Sequence, residues 1–203
     1  MRIGIMTFLH NDNFGSILQA WALQKTLLSM GYDAEHIDYA PSKQEKIRNM
    51  LTSGNSPRLI LEGMIKRSAT GKMHGGFDEF RQANIGTSPV CRDRSALCEA
   101  AERYDVLVCG SDQIWSPVWL NPAYFLDFTE KPKIAYAPSL GVKEAPRGNK
   151  RKKMASLMKR FEALSVREAE GASIIEAMTG VLPSVQPDPV MLRSREEWQS
   201  IAA

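Results

Sequence analysis

The stretch Tyr104-Asp105-Val106-Leu107-Val108-Cys109-Gly110-Ser111-Asp112-Gln113-Ile114-Trp115 carries the strongest structural signal in the chain. Four consecutive apolar residues, Val106 to Cys109, follow Tyr104 and predict a short strand buried on both faces. The run then breaks into Gly-Ser-Asp-Gln, small and polar, with no apolar reason to follow a buried strand. Open α/β sheets bind ligands at such places, outside the carboxyl ends of parallel strands.

On either side of this stretch apolar strands alternate with amphipathic helices. That alternation predicts an α/β fold, a Rossmann-like parallel sheet with helices on both faces. The first strand is read over Arg2 to Phe8 and is followed by the polar loop His10 to Gly15. A helix follows from about Ser16 to Met30, with Ile17, Ala20, Trp21, Leu27 and Leu28 on one side and Gly31 as its stop. Gln24 falls inside that apolar stripe, so it needs a buried partner or a cleft. Further strands are expected at Ala34 to Tyr39, Lys133 to Ala137, Ala163 to Val166 and Val185 to Asp188. Helices are expected at Leu59 to Ile65, from Phe77, at Ser95 to Arg103 and at Gly148 to Phe161, with a mobile loop at Ser68 to Gly76. The tail after Leu192 reads as a linker or first helix leading onward. Residues 1–192 are therefore taken as one domain and 193–203 as the start of a link to another.

Composition bounds the class. The 203 residues suffice for one sizeable domain, and 43% hydrophobic with 24% charged residues is ordinary for a globular chain. A net charge of +3 is too small to call for nucleic acid. Cys91, Cys98 and Cys109 form no CxxC pair and read as reduced thiols, which fits a cytoplasmic protein. The amino terminus makes no signal-peptide core, and no apolar run is long enough to span a bilayer. Neither HExxH nor a cysteine pair is present, so no metal centre is expected, and no cofactor motif such as a P-loop or GxGxxG occurs.

Several polar positions can carry chemistry. Asn13, Gly15 and Ser16 stand where a helix start presents unpaired N–H groups, a place for an anion or a sugar hydroxyl. The same residues can simply cap the helix. Gln19 lies one turn further in, on a polar face. In the Gly110-Ser111-Asp112-Gln113 turn, Asp112 can accept from substrate hydroxyls or act in acid–base chemistry, and Gln113 can donate and accept. Trp115 offers an aromatic floor for a sugar or a core ring, whereas Trp119 and Tyr124 are read as core. Arg167, at a strand end, can clamp a carboxylate or phosphate, or pair with Glu168 or Glu170. Ser139 is the polar candidate of the Tyr136 to Gly141 loop. His10 is near the first loop, while the Lys150 to Lys153 run is read as a solvated helix face.

Taken in order, four blocks resemble the polysaccharide pyruvyl transferase family. They are Asn13-Phe14-Gly15-Ser16-Ile17-Leu18-Gln19-Ala20 with Leu23-Gln24, Val108 to Trp115, Ile134 to Gly141, and Ser165-Val166-Arg167-Glu168. Phe125 to Phe128, Asp188-Pro189 and Trp198 complete the pattern, and residues 41–90 add little to it. The resemblance implies the N-terminal half of a GT-B-type enzyme. It also implies transfer of pyruvate from phosphoenolpyruvate, as a ketal, onto a sugar of a cell-surface polysaccharide. By the motif match Arg167 is the position for the phosphoenolpyruvate anion. The Asn13 to Gln19 and Gly110 to Gln113 loops would line the acceptor side, where a glycan or lipid-linked saccharide binds. Family members are longer, and their second half supplies a histidine acid and more cationic contacts, so this chain would furnish half of a site. Two other readings compete: a GT-B glycosyltransferase using a nucleotide sugar, and a non-catalytic module that pairs with a separate second half. A cytoplasmic location, with a peripheral position at the inner membrane face left open, goes with all of these.

Overall fold

The computed structural model describes residues 1–53 and 74–201. Six strands form one parallel sheet: β1 (Arg2–Met6), β2 (Asp33–His36), β3 (Val106–Cys109), β4 (Lys133–Ala135), β5 (Ala163–Val166) and β6 (Ser184–Val185), in the order β2-β1-β3-β4-β5-β6. Seven α-helices are found among the described residues. They are α1 (Phe14–Ser29), α2 (Lys43–Ser53), α3 (His74–Asn84), α4 (Arg94–Ala101), α5 (Gly148–Met158), α6 (Ala169–Thr179) and α7 (Arg195–Ile201). The expected α/β, Rossmann-like class is observed.

Side-chain alternation explains why the central strands are apolar throughout. On β1 and β3, Ile3, Ile5 and Val108 join Leu23 of α1 and Ala34 in one cluster. Met6, Leu107 and Cys109 point the other way, into the main core with Leu97 and Ala101 of α4. Both faces are covered, so neither tolerates a polar alternation. Cys109 behaves as a small hydrophobe, and burial pushes its thiol well above the ordinary range.

Local chemistry sets the helix ends. Asn13 caps α1 by accepting from Gly15 N, and Gly31, at φ +84, ends it. Asp93 caps α4, whose last carbonyls are met by Lys131: its Nζ donates to Ala101, Glu102 and Tyr104 at 2.9–3.0 Å. Gln24 finds the buried partners its place in the stripe required, donating to Ala34 O and Gly86 O and accepting from Gly86 N.

Several expected boundaries move. The second strand stops at His36 because the chain then pairs through isolated bridges with residues 87 and 91. The fourth ends at Ala135, since Ala137 turns to a left-handed φ of 49. The sixth is only Ser184–Val185, as Pro187 cannot donate to a ladder and Asp188 caps the turn that follows. The helix from Gly148 ends at Met158 instead of Phe161. Helices α2 and α6 were not foreseen. The helix expected at Leu59 to Ile65 lies outside the described residues, as does the Ser68 to Gly76 loop apart from its last three residues, which open α3. The tail turns back onto the domain. Ser194 and Glu197 form a reciprocal capping box, and Trp198 packs 5.0 Å from Trp21 of α1.

His36 is fully buried behind α1, its Nε2 donating to Ala20 O. Burial lowers its pKa to about 4. The unfolded chain, with a histidine near 6.5, binds the extra proton first as the pH falls. Stability is therefore complete above pH ~6.5 and is lost progressively as the pH drops towards ~4, by roughly 3 kcal/mol in all. Thermal melts of the protein and of His36→Leu between pH 7 and 4.5 check this. The variant is expected to show a flatter dependence, and equal slopes would remove the assignment.

Candidate active site

Because every strand runs the same way, the loops after β1, β3, β4, β5 and β6 all leave from one edge of the sheet. The strand order reverses between β1 and β3: the chain leaves β1 for β2 on one side and returns to β3 on the other. Loops diverge at such a switch point, and the crevice between them is where doubly wound sheets bind ligands.

Gln19 closes the floor of that crevice. Its Nε2 donates to Thr7 Oγ1 at 3.1 Å and to Ser16 O at 2.8 Å, while its Oε1 accepts from Ser111 N at 2.9 Å. Thr7 Oγ1 in turn donates to Ser111 O at 3.2 Å. Gln19 is 1% exposed, so it faces the interior and not the expected polar side. Its amide is wholly engaged in joining the β1 loop, α1 and the β3 loop.

Above this floor Asp112 is partly exposed, while Ser16 beside it is buried. Ser16 Oγ donates to Asp112 Oδ2 in a short hydrogen bond. The other carboxylate oxygen of Asp112 accepts from Gln113 N at 2.7 Å, and its backbone carbonyl accepts from Ser139 N at 2.8 Å. Asp112 and Ala137 both hold positive φ, 67 and 49, which side chains rarely adopt and which often marks functional loops. Gly110 is indispensable between them. At φ +128, a Cβ there would stand 1.9 Å from Tyr136 O.

Ser111, fully buried, donates Oγ to Ala137 O at 2.8 Å and lies 3.4 Å from Asp188 Oδ2. That same Asp188 oxygen accepts from Arg167 Nη1 at 2.7 Å. Arg167 thus pairs with Asp188, and not with Glu168 or Glu170, the ion pairs that were the alternative to anion binding. Glu168 is engaged elsewhere: its Oε1 accepts from Ser139 Oγ at 2.9 Å and from Leu140 N at 3.0 Å. Tyr136 joins the group, its OH donating to Pro187 O at 3.2 Å. Burial, with the Asp188 charge second, pushes that phenol up.

Two linked sets of contacts therefore meet at the Ser111–Asp112 peptide: Ser16 with Asp112, and Ser111 with Asp188 and Arg167. Gly15 and Gln113 are exposed at its rim, and Asn13 is exposed with its side chain engaged in capping. Trp115 requires correction. It is fully buried, stacked on Phe125 with rings 5.0 Å apart and 4° from parallel, and cannot offer a face to a sugar. Trp119, read as core, is instead half exposed, while Tyr124 is partly buried against Phe8. Asp188 and Tyr136 are the functional candidates that the sequence reading did not assign. A carboxylate set before proline at a strand end was the available signal for the first. His10 lies on the β2 side, its Nε2 2.5 Å from Asp38 Oδ1. Among the described residues no cluster of three or more His, Cys, Asp or Glu could hold a metal ion.

Replacing Gln19 by Leu would leave the buried Ser111 N–H without a partner, which costs about 1–3 kcal/mol. Chemical denaturation of Gln19→Leu is expected to show a loss in that range. A midpoint equal to the parent's would mean that Gln19 does not hold the two loops together.

Comparison with known proteins then places the chain. The model of the polysaccharide pyruvyl transferase family matches residues 13–203, nearly its whole length. No curated protein and no solved structure matches it. The matched segment contains every residue of the ledge just described except Thr7, and on that match the chain belongs to the polysaccharide pyruvyl transferase family.

Proposed function

We propose that this chain takes part in transferring pyruvate from phosphoenolpyruvate, as a ketal, to a sugar of a cell-surface polysaccharide, and that it furnishes the N-terminal wall of the site. The family match supports a pyruvyl transfer. The observation that carries the finer reading is Arg167, a cation about one-third exposed, held at the same sheet edge as Asp112, Ser16 and Ser111.

Overall, phosphoenolpyruvate and two acceptor hydroxyls give a ketal and phosphate. The enol methylene gains a proton and becomes a methyl group, which makes C2 electrophilic. One hydroxyl oxygen bonds to C2, the C2–O bond to phosphate breaks, and the second hydroxyl closes the ring. Of the two hydroxyl protons, one balances that added to carbon and the other leaves with the phosphate. Arg167 binds the donor's carboxylate or phosphate, anions whose charge shifts during this sequence and which a fixed guanidinium stabilises. Asp112 accepts from an acceptor hydroxyl as it attacks. Ser16, Ser111 and Ser139 hold the loops that line the acceptor side, with Asn13, Gly15, Gly110 and Gln113 around them. A second half supplies the opposite wall. The reaction is placed in the cytoplasm, on a glycan or lipid-linked acceptor. No helix among the described residues is long and apolar enough to cross a membrane.

The test is incubation with phosphoenolpyruvate and a panel of glycosides bearing 1,2- or 1,3-diols, with and without the product encoded directly downstream. Phosphate release with a ketal methyl signal in the NMR spectrum of the glycan is expected. Turnover of a nucleotide sugar in its place would favour glycosyl transfer. Within an active assembly, Arg167→Ala should lower transfer about 100-fold or more while far-UV circular dichroism stays unchanged. Parental rates in that variant would remove Arg167 from the donor site.

A further inference from the structure

Asp188 meets Arg167 through one nitrogen only. Its Oδ2 accepts from Nη1 at 2.7 Å, and no other hydrogen bond or ion pair of the Arg167 side chain is found among the described residues. The Nε and Nη2 hydrogens, which form the second edge of the guanidinium fork, are left for another acceptor. That edge matches a carboxylate or phosphate in bidentate fashion.

The carboxylate itself is pinned. Asp188 Oδ1 accepts from Val190 N at 3.1 Å, and Oδ2 also lies 3.4 Å from the buried Ser111 Oγ. Behind Asp188 the backbone is locked from two sides. Tyr136 OH donates to Pro187 O at 3.2 Å, and Trp198 Nε1 donates to Val190 O at 3.2 Å. Pro189–Leu192 forms a tight 3-10 turn that packs on α1. A free arginine side chain samples many rotamers. A rigid anchor on one nitrogen removes much of that freedom before any ligand arrives, the logic of a preorganised site.

We propose that Asp188 is a positioning residue for the donor site: it holds Arg167 by Nη1 so that the Nε–Nη2 edge faces the anionic group of phosphoenolpyruvate. This rests on the donor reading given above for Arg167. Asp188 itself touches no substrate. The carboxylate opposes anion binding by its charge, and the orientation it imposes outweighs that repulsion. The same contact ties the donor cation to the segment that clasps α1 through Trp198, so loosening the tail should disturb the cation as well.

Two measurements on the full chain test this. The first is the ¹⁵Nη1–¹Hη1 resonance of Arg167 without ligand, assigned by its loss in Arg167→Lys. It should be resolved from the Nη2 signal and slow to exchange in the parent, averaged towards free arginine in Asp188→Ala, and partly restored in Asp188→Glu. An unchanged resonance in Asp188→Ala overturns the positioning role. The second is phosphoenolpyruvate affinity, read by ³¹P NMR titration with thermal melts as the folding control. Asp188→Ala is expected to weaken binding tenfold or more, while the melting temperature falls only as far as loss of the Val190 cap accounts for. In an Arg167→Lys background, where the fork is gone, the same substitution should add almost nothing. Equal losses in both backgrounds would show that Asp188 acts by another route and overturn the inference. A parent chain whose Arg167 resonance behaves as expected but which binds no phosphoenolpyruvate overturns the donor reading, and with it the ligand named here, and leaves the positioning supported by the first measurement.

Discussion

A buried amide and the backbone it satisfies hold this edge of the sheet together. Gln19 sits under the switch point, and its side chain bonds to Thr7, to the Ser16 carbonyl and to Ser111 N. Without it, the β1 and β3 loops would diverge with a buried N–H left unpaired, which a protein interior penalises heavily. With it, α1 starts at a fixed height above the sheet, and Ser16 reaches Asp112. The rest of the ledge is built on those loops.

Arg167 and Asp188 illustrate a different balance. A pair only partly shielded from water adds little to stability. Its value here is geometric, because a strand end and a capped turn meet on either side of one oxygen atom. Ser111 and Tyr136 extend that junction to β3 and β4, so neighbouring loops brace a single guanidinium. An arginine held in this way is what the donor proposed above would need, a fixed cation at the carboxyl edge.

Much of this was legible beforehand, for identifiable reasons. The strands Val106–Cys109 and Ala163–Val166 have the bounds expected of them, the first because two-sided burial leaves a continuous apolar run and the second because it breaks into the charged Arg167-Glu168 pair. Gln24 was recognised as needing a buried partner, since an amide in an apolar stripe must be satisfied. Helix α6 lacks the usual start signal: Glu168 stands at its N-cap without a side-chain cap hydrogen bond, and Gly171 falls in its first turn. Of the two readings open for Trp115, a sugar platform or a core ring, the structure shows the second: it lies beneath the loop it follows, stacked on Phe125. Residue type alone does not distinguish a platform from a core ring.

By itself the sequence determined which segments are strands buried on both faces, where they break into polar turns, and hence that the turns crowd one edge. Those are consequences of local periodicity and of the need to bury apolar surface. Only the tertiary structure decided which polar groups meet. Arg167 takes Asp188 instead of its near neighbours in the chain, Ser16 takes Asp112 from 96 residues away, and Gln19 turns inward. Partners at such separations follow from strand order, which brings β1 beside β3 and places the turn after β6 within reach of both β5 and β3.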